Sequence, residues 1–101
     1  WPDENNVIEE SILNIYPNPI HKSDNYQILY SLGTDYFEIT LELINIRGQI
    51  IKTIILNSSK KGWHRENIKR LISSEITAGI YFIRLCYDNF YSSAKKIIIL
   101  P

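Results

Sequence analysis

The sequence predicts an all-β domain, an antiparallel β-sandwich of about seven strands. Short segments rich in isoleucine, leucine, tyrosine and phenylalanine recur along the chain, several with apolar and polar residues in alternation. Clusters of glycine, asparagine, aspartate and serine separate them and leave room for one helical turn. At 101 residues and 45% hydrophobic content, the chain can build one modest core.

Residues 1–10, WPDENNVIEE, are polar and acidic without a period and read as a linker. The domain proper is expected over residues 11–101. ILNIY is a short strand running into Pro17-Asn18-Pro19, where two residues without a backbone donor kink the chain. YQILYSL, residues 26–32, places Tyr26, Ile28, Tyr30 and Leu32 on one face. In FEITLELINI, Phe37, Ile39, Leu41 and Leu43 alternate with Glu38, Thr40 and Glu42, as in a sheet with one wet side. Arg47-Gly48-Gln49 is a turn in which Gly48 can take positive φ, and IIKTIIL returns as the antiparallel partner.

WHRENIKRLI is ambiguous. Trp63, Arg65, Asn67 and Lys69 would oppose His64, Glu66, Ile68 and Arg70, and we read it as an edge strand guarded by its cations. SSEI suggests the capped helical turn. IYFIRLCYD is a strand with Tyr81, Ile83, Leu85 and Tyr87 on one face, NFY a turn, and SAKKIIIL the last strand.

The charges cancel, 11 basic against 11 acidic, so no basic face points to nucleic acid. No apolar run reaches the length of a membrane span. The single cysteine, Cys86, cannot form an internal disulfide and reads as a half-buried strand thiol. His21 and His64 lack metal-site spacing and read as exposed polar residues. Glu38 and Glu42 share a strand face, as solvated carboxylates commonly do. No nucleophile motif or phosphate loop is present, so neither an enzyme nor a cofactor is expected. Asn57-Ser58-Ser59 fits a glycosylation sequon, a triplet common by chance. Trp63, Tyr87, Phe90 and Tyr91 could form a sugar-stacking surface, or simply pack the sandwich.

The order of landmarks carries a further reading. YPNPI is followed by ILYSL, by ITLELINIRGQIIKTI, by Gly62 before an aromatic strand, by ITAGIYFIRL and by KKIIIL. From about Ile12 to Leu100 this resembles the C-terminal sorting domain of type IX secretion cargo in Bacteroidota. The resemblance implies an immunoglobulin-like sandwich attached to an upstream cargo domain. It further implies passage through the periplasm, recognition by an outer-membrane translocon, and removal by a sortase-like protease, leaving the cargo secreted or on the cell surface. The family's landmarks fall on Pro17, Asn18 and Pro19, on Gly48 and Gln49, on Gly79, Tyr81 and Arg84, and on Lys95 and Lys96. On this reading the contact surface is the last strand plus an exposed sheet edge, and the acidic lead-in is the scissile linker. The prolines keep the first strand from growing back into that linker, and Gly79 supplies a bend that lets Tyr81 reach the core. Two other readings are a passive immunoglobulin- or fibronectin-like spacer and a carbohydrate-binding module.

Overall fold

The computed structural model describes residues 9–101. The expected linker therefore lies outside the described residues except for Glu9 and Glu10. Both of these touch the sandwich: the Ser31 hydroxyl donates to the Glu9 carbonyl, and the Gly33 amide donates to Glu10 Oε1 at 2.6 Å.

The strands are β1 (Ser11–Tyr16), β2 (Ile20–His21), β3 (Gln27–Leu32), β4 (Ile39–Ile44), β5 (Ile50–Ile55), β6 (Gly62–Asn67), β7 (Gly79–Tyr87), β8 (Phe90–Tyr91) and β9 (Lys95–Leu100). Seven are six residues or longer, as the sequence predicts, and β2 and β8 are two-residue additions. One sheet has the order β1-β3-β6, and the other β2-β9-β7-β4-β5, with β8 against β7. This is an immunoglobulin-like arrangement: one sheet follows the A-B-E order and the other the G-F-C order, extended at both ends. One pairing departs from the antiparallel expectation, because β2 runs parallel to β9 through Ile20–Ile99 and His21–Leu100.

The core follows from alternation. Tyr26, Ile28, Tyr30 and Leu32 are fully buried, as are Ile39, Leu41, Leu43, Ile83 and Leu85. Register sets Leu41 beside Leu85, Leu43 beside Ile83, and Tyr81 beside Ile97, so the inner face of the larger sheet is a continuous apolar layer. Each such side chain contributes about 1.5–3 kcal/mol relative to an exposed one. The two core tyrosines keep their hydroxyls paired. Tyr26 reaches the carbonyls of Lys69 and Ile72, each at 3.0 Å, and Tyr30 donates to the Ser58 carbonyl at 2.7 Å. Tyr26 thereby ties the β6–β7 connection to β3.

Several expectations are corrected. Phe37 precedes β4 and is 99% exposed, so it is not part of the inner face. Glu42 is buried, because Arg84 pairs with it across β4 and β7. The helical turn is a 3-10 turn at Lys69–Leu71, whereas Ser73–Ile76 forms a turn closed by the Ile76 amide on the Ser73 carbonyl. Phe90 and Tyr91 pair with Tyr87 and Cys86 rather than forming a turn, and the reversal falls at Asp88, with φ +53. The prolines follow β1, as the strand reading of ILNIY predicts, so they cannot be what keeps that strand from growing back into the lead-in. Both peptide bonds, Tyr16–Pro17 and Asn18–Pro19, are cis, and the chain changes sheets across this segment, between Tyr16 and Ile20. β6 is an edge strand as predicted, with Glu66 and Ile68 turned inward and Trp63 and Arg65 outward.

Gly79 opens β7 with φ +152, where a Cβ would meet only the Tyr81 ring, at 3.9 Å. The cost of a side chain there is conformational rather than steric. Gly79→Ala and Gly79→Val should each lower unfolding stability by roughly 1–3 kcal/mol in urea titrations. An unchanged midpoint for either would contradict the strained geometry.

Candidate recognition surface

The residues singled out by sequence fall into three groups on the larger sheet. The first joins Pro17-Asn18-Pro19 to the last strand. Asn18 Nδ2 donates to the Lys96 carbonyl at 3.3 Å, and the Ile98 amide donates to Asn18 Oδ1 at 3.1 Å. The side chain thus does what a neighbouring strand would do, one donor and one acceptor for β9, immediately before β2 takes over at Ile99 and Leu100. Pro17 and Pro19 are exposed, as are the Lys95 and Lys96 side chains. The last strand is not itself an open edge, because β7 lies on one side and Asn18 with β2 on the other.

The second group is the β4–β5 turn. Gly48 has φ +83 and its amide donates to the Asn45 carbonyl at 3.0 Å. Asn45 Oδ1 accepts from the amides of Arg47 and Gln49, and Asn45 Nδ2 donates to Gln49 Oε1 at 2.8 Å. Gln49 therefore holds the turn shut, a role that needs a side chain able to accept from an amide.

The third group is the start and middle of β7. The Tyr81 hydroxyl donates to the Thr77 carbonyl at 2.8 Å, four residues back, in the manner of the tyrosine corner of immunoglobulin-like sandwiches. Its ring is buried and its hydroxyl sits at the rim, as expected once Gly79 bends the chain. Arg84 Nε donates to Glu42 Oε1 at 2.8 Å, and its guanidinium lies 3.8 Å from the Tyr91 ring centre. The hydrogen bond to Glu42 raises the Arg84 pKa and more than offsets the opposing effect of burial. A half-exposed cation is thus pinned between a buried carboxylate and an aromatic face.

Reactive chemistry does not assemble around these groups. His64 is half-buried against Tyr30 rather than exposed, and its Nε2 lies 2.6 Å from the Lys60 carbonyl. A carbonyl can only accept, so Nε2 carries the proton and cannot act as a base toward Ser58 Oγ, 3.4 Å away. Burial pushes the Cys86 thiol up to about 11, which keeps it protonated at neutral pH. Glu38 is exposed ahead of β4, while Glu42 is committed to Arg84. The aromatic residues do not form one platform. Trp63 sits on the smaller sheet, Tyr87 packs between Tyr36 and Phe90, and Tyr91 covers Arg84. Asn57 of the sequon is exposed, and its backbone amide is held by Glu66.

Sequence reasoning missed how apolar the outer face of the larger sheet is. Cross-strand register lines up Lys96, Phe82, Ile44 and Ile50 in one row and Ile98 beside Ile80 in the next. Ile46, Ile50, Ile51, Ile55 and Ile80 are all exposed. The signal was present in the unbroken run QIIKTIIL, since a strand with one wet face would have alternated.

Comparison with known proteins gives one match. A family model described as "Secretion system C-terminal sorting domain" matches residues 14–100, from β1 to the end of β9. No curated protein and no solved structure matches.

Asn18→Ala removes both side-chain bonds to β9 and should cost about 1–3 kcal/mol in urea unfolding; no change would mean the clasp contributes nothing. A double-mutant cycle over Glu42→Gln and Arg84→Met should return a coupling of at least about 1 kcal/mol. The Cys86 thiol should resist iodoacetamide at pH 7 and react progressively as the pH approaches about 11. Rapid alkylation at neutral pH would contradict the burial that raises it.

Proposed function

We propose, from the premise that the chain belongs to the family of secretion system C-terminal sorting domains used in type IX secretion, that it is the address its cargo presents to the outer-membrane translocon. The observation that carries this is the family match, which spans the sandwich from Asn14 to Leu100 rather than one motif within it. That family is not one of enzymes, and it implies a secreted or cell-surface protein. In this reading a cargo domain precedes the linker, and the full-length protein crosses the periplasm folded at this end. The translocon reads the sandwich, and a sortase-like protease cuts within the acidic lead-in.

The chemistry of the domain agrees with a role in recognition. Among the described residues its polar side chains hold turns, strand edges and the ion pairs Glu42–Arg84 and Glu66–Arg70, which supports a reading in which the working parts lie in the partners. Glu9 and Glu10 are hydrogen-bonded to the sandwich, which favours a cut upstream of them. The spacer and carbohydrate-binding readings receive no comparable support, the second because its aromatic residues are divided between two sheets.

The test is a transplant in a Bacteroidota host. A periplasmic reporter carrying the 101-residue chain at its C-terminus should appear outside the cell. The same fusion lacking residues 92–101, which include all of β9, should stay in the periplasm. Export of the truncated fusion, or retention of the complete one, would overturn the proposal.

A further inference from the structure

We propose that the free edge of β5 is a docking site for an extended segment of a protein partner that alternates aliphatic and acidic residues. The inference deepens the sorting reading by naming the part of the domain that a partner grips; the geometry it rests on does not depend on that reading.

β5 is the last strand of its sheet. The Leu56 amide donates to the Ile39 carbonyl, which fixes the phase of the ladder. Backbone groups of Leu56 and Ile54 face β4, so those of Thr53 and Ile55 face away. The Ile55 carbonyl agrees with this phase, because Arg70 Nη2 donates to it from outside the sheet at 2.6 Å. Thr53 presents an amide and a carbonyl outward with no strand opposite.

The other edges are treated differently. The far end of the same sheet is closed by Asn18 and β2. On the smaller sheet, β1 is broken by an irregular register at Ile12–Asn14, and β6 carries Arg65 outward. β5 also carries a bulge, at Ile51, and a cation, Lys52, yet it leaves Ile50, Ile51 and Ile55 exposed, at 50, 43 and 57%. An edge that keeps exposed aliphatic side chains beside unpaired backbone groups is a template for pairing with another chain. Beside it, Ile46, Ile51, Ala78 and Ile80 line a groove of about 580 Å³ that also includes Arg47.

Side-chain placement selects the occupant. Ile51 and Ile55 lie on the outer face of the sheet, whereas Lys52, paired with Leu43, points to the inner rim. A strand added to β5 would need aliphatic side chains on the first face and a carboxylate on the second. Arg47 adds a second cation at the start of the strand; of the nearby carboxylates, Glu66 is already paired with Arg70, and exposed Glu75 lines the pocket beside Lys52, leaving Arg47 and Lys52 with one neighbouring carboxylate between them. A second copy fits less well, because antiparallel pairing about Thr53 would bring the two Lys52 side chains into diagonal contact on one face.

The domain itself and two synthetic peptides provide the test, one alternating valine with glutamate and one alternating valine with lysine. The 101-residue chain is titrated with each while backbone amide shifts are followed by NMR. The glutamate peptide should perturb β5 and the Asn45–Gln49 turn and bind at least roughly tenfold more tightly than the lysine peptide. Thr53→Pro should abolish this binding while leaving thermal unfolding nearly unchanged, since the lost amide makes no bond to β4. Ile55→Lys should weaken it as a second, independent variant. Shifts confined to other strands, equal binding of the two peptides, or a Thr53→Pro variant that folds and still binds would overturn the proposal. So would self-association of the chain that Thr53→Pro removes, which would make the occupant a second copy. Because binding is read on the isolated chain, failure here leaves the export test of the sorting reading untouched.

Discussion

The change of sheets between Tyr16 and Ile20 governs the rest of the structure. β1 pairs with β3 in one layer, and four residues later β2 lies against β9 in the other. A strand cannot cross that gap and keep its ladder, so the crossing needs residues that make no ladder bonds. Pro17 and Pro19 lack the donor, and the side chain of the residue between them supplies the bonds the backbone cannot. Asn18 spends its amide on Lys96 and Ile98, which are 78 and 80 residues away. The two ends of the sandwich are locked together as a result. The last strand becomes an interior strand, and the sheet ends in the two-residue β2 on one side and the six-residue β5 on the other.

Polar groups at the turns and the core rim are satisfied within the domain: Gln49 by Asn45, Tyr81 by Thr77, and Glu66 by Asn57, Tyr30 and Arg70. Among the described residues no buried side-chain polar atom lacks a partner. Satisfied interiors of this kind help to specify one structure. What the domain offers at its surface is shape, a sheet edge and exposed apolar area. That agrees with a family whose members serve as addresses and not as enzymes.

Much of this was legible in the residues, and the failures have physical causes. Alternation located the inner faces of β3, β4 and β7, because burial on one side imposes a period of two. It misjudged Phe37, where the pattern ran past the end of the strand into a connection. It misjudged Glu42 because the residue that neutralises it, Arg84, is 42 positions away and becomes a neighbour only through register. The partnership of Asn18 with β9 is equally non-local. The motif itself was visible, but its partner could not be read from spacing. Gly48 and Gly79 were read correctly, since positive φ at a tight turn or bend is a local demand. The apolar outer face could have been seen in QIIKTIIL and IYFIRLCY, both of which break the one-wet-face pattern.

The central claim is that β9 is closed on both sides while β5 is open on one. Residue-resolved amide hydrogen exchange on the intact domain tests it most directly. The account predicts slow exchange at Ile98, held by Asn18, and at Ile54, held by β4, with fast exchange at Thr53 and Ile55. An Ile98 amide that exchanges as quickly as that of Thr53, or protected amides at both Thr53 and Ile55 in dilute monomer, would contradict it.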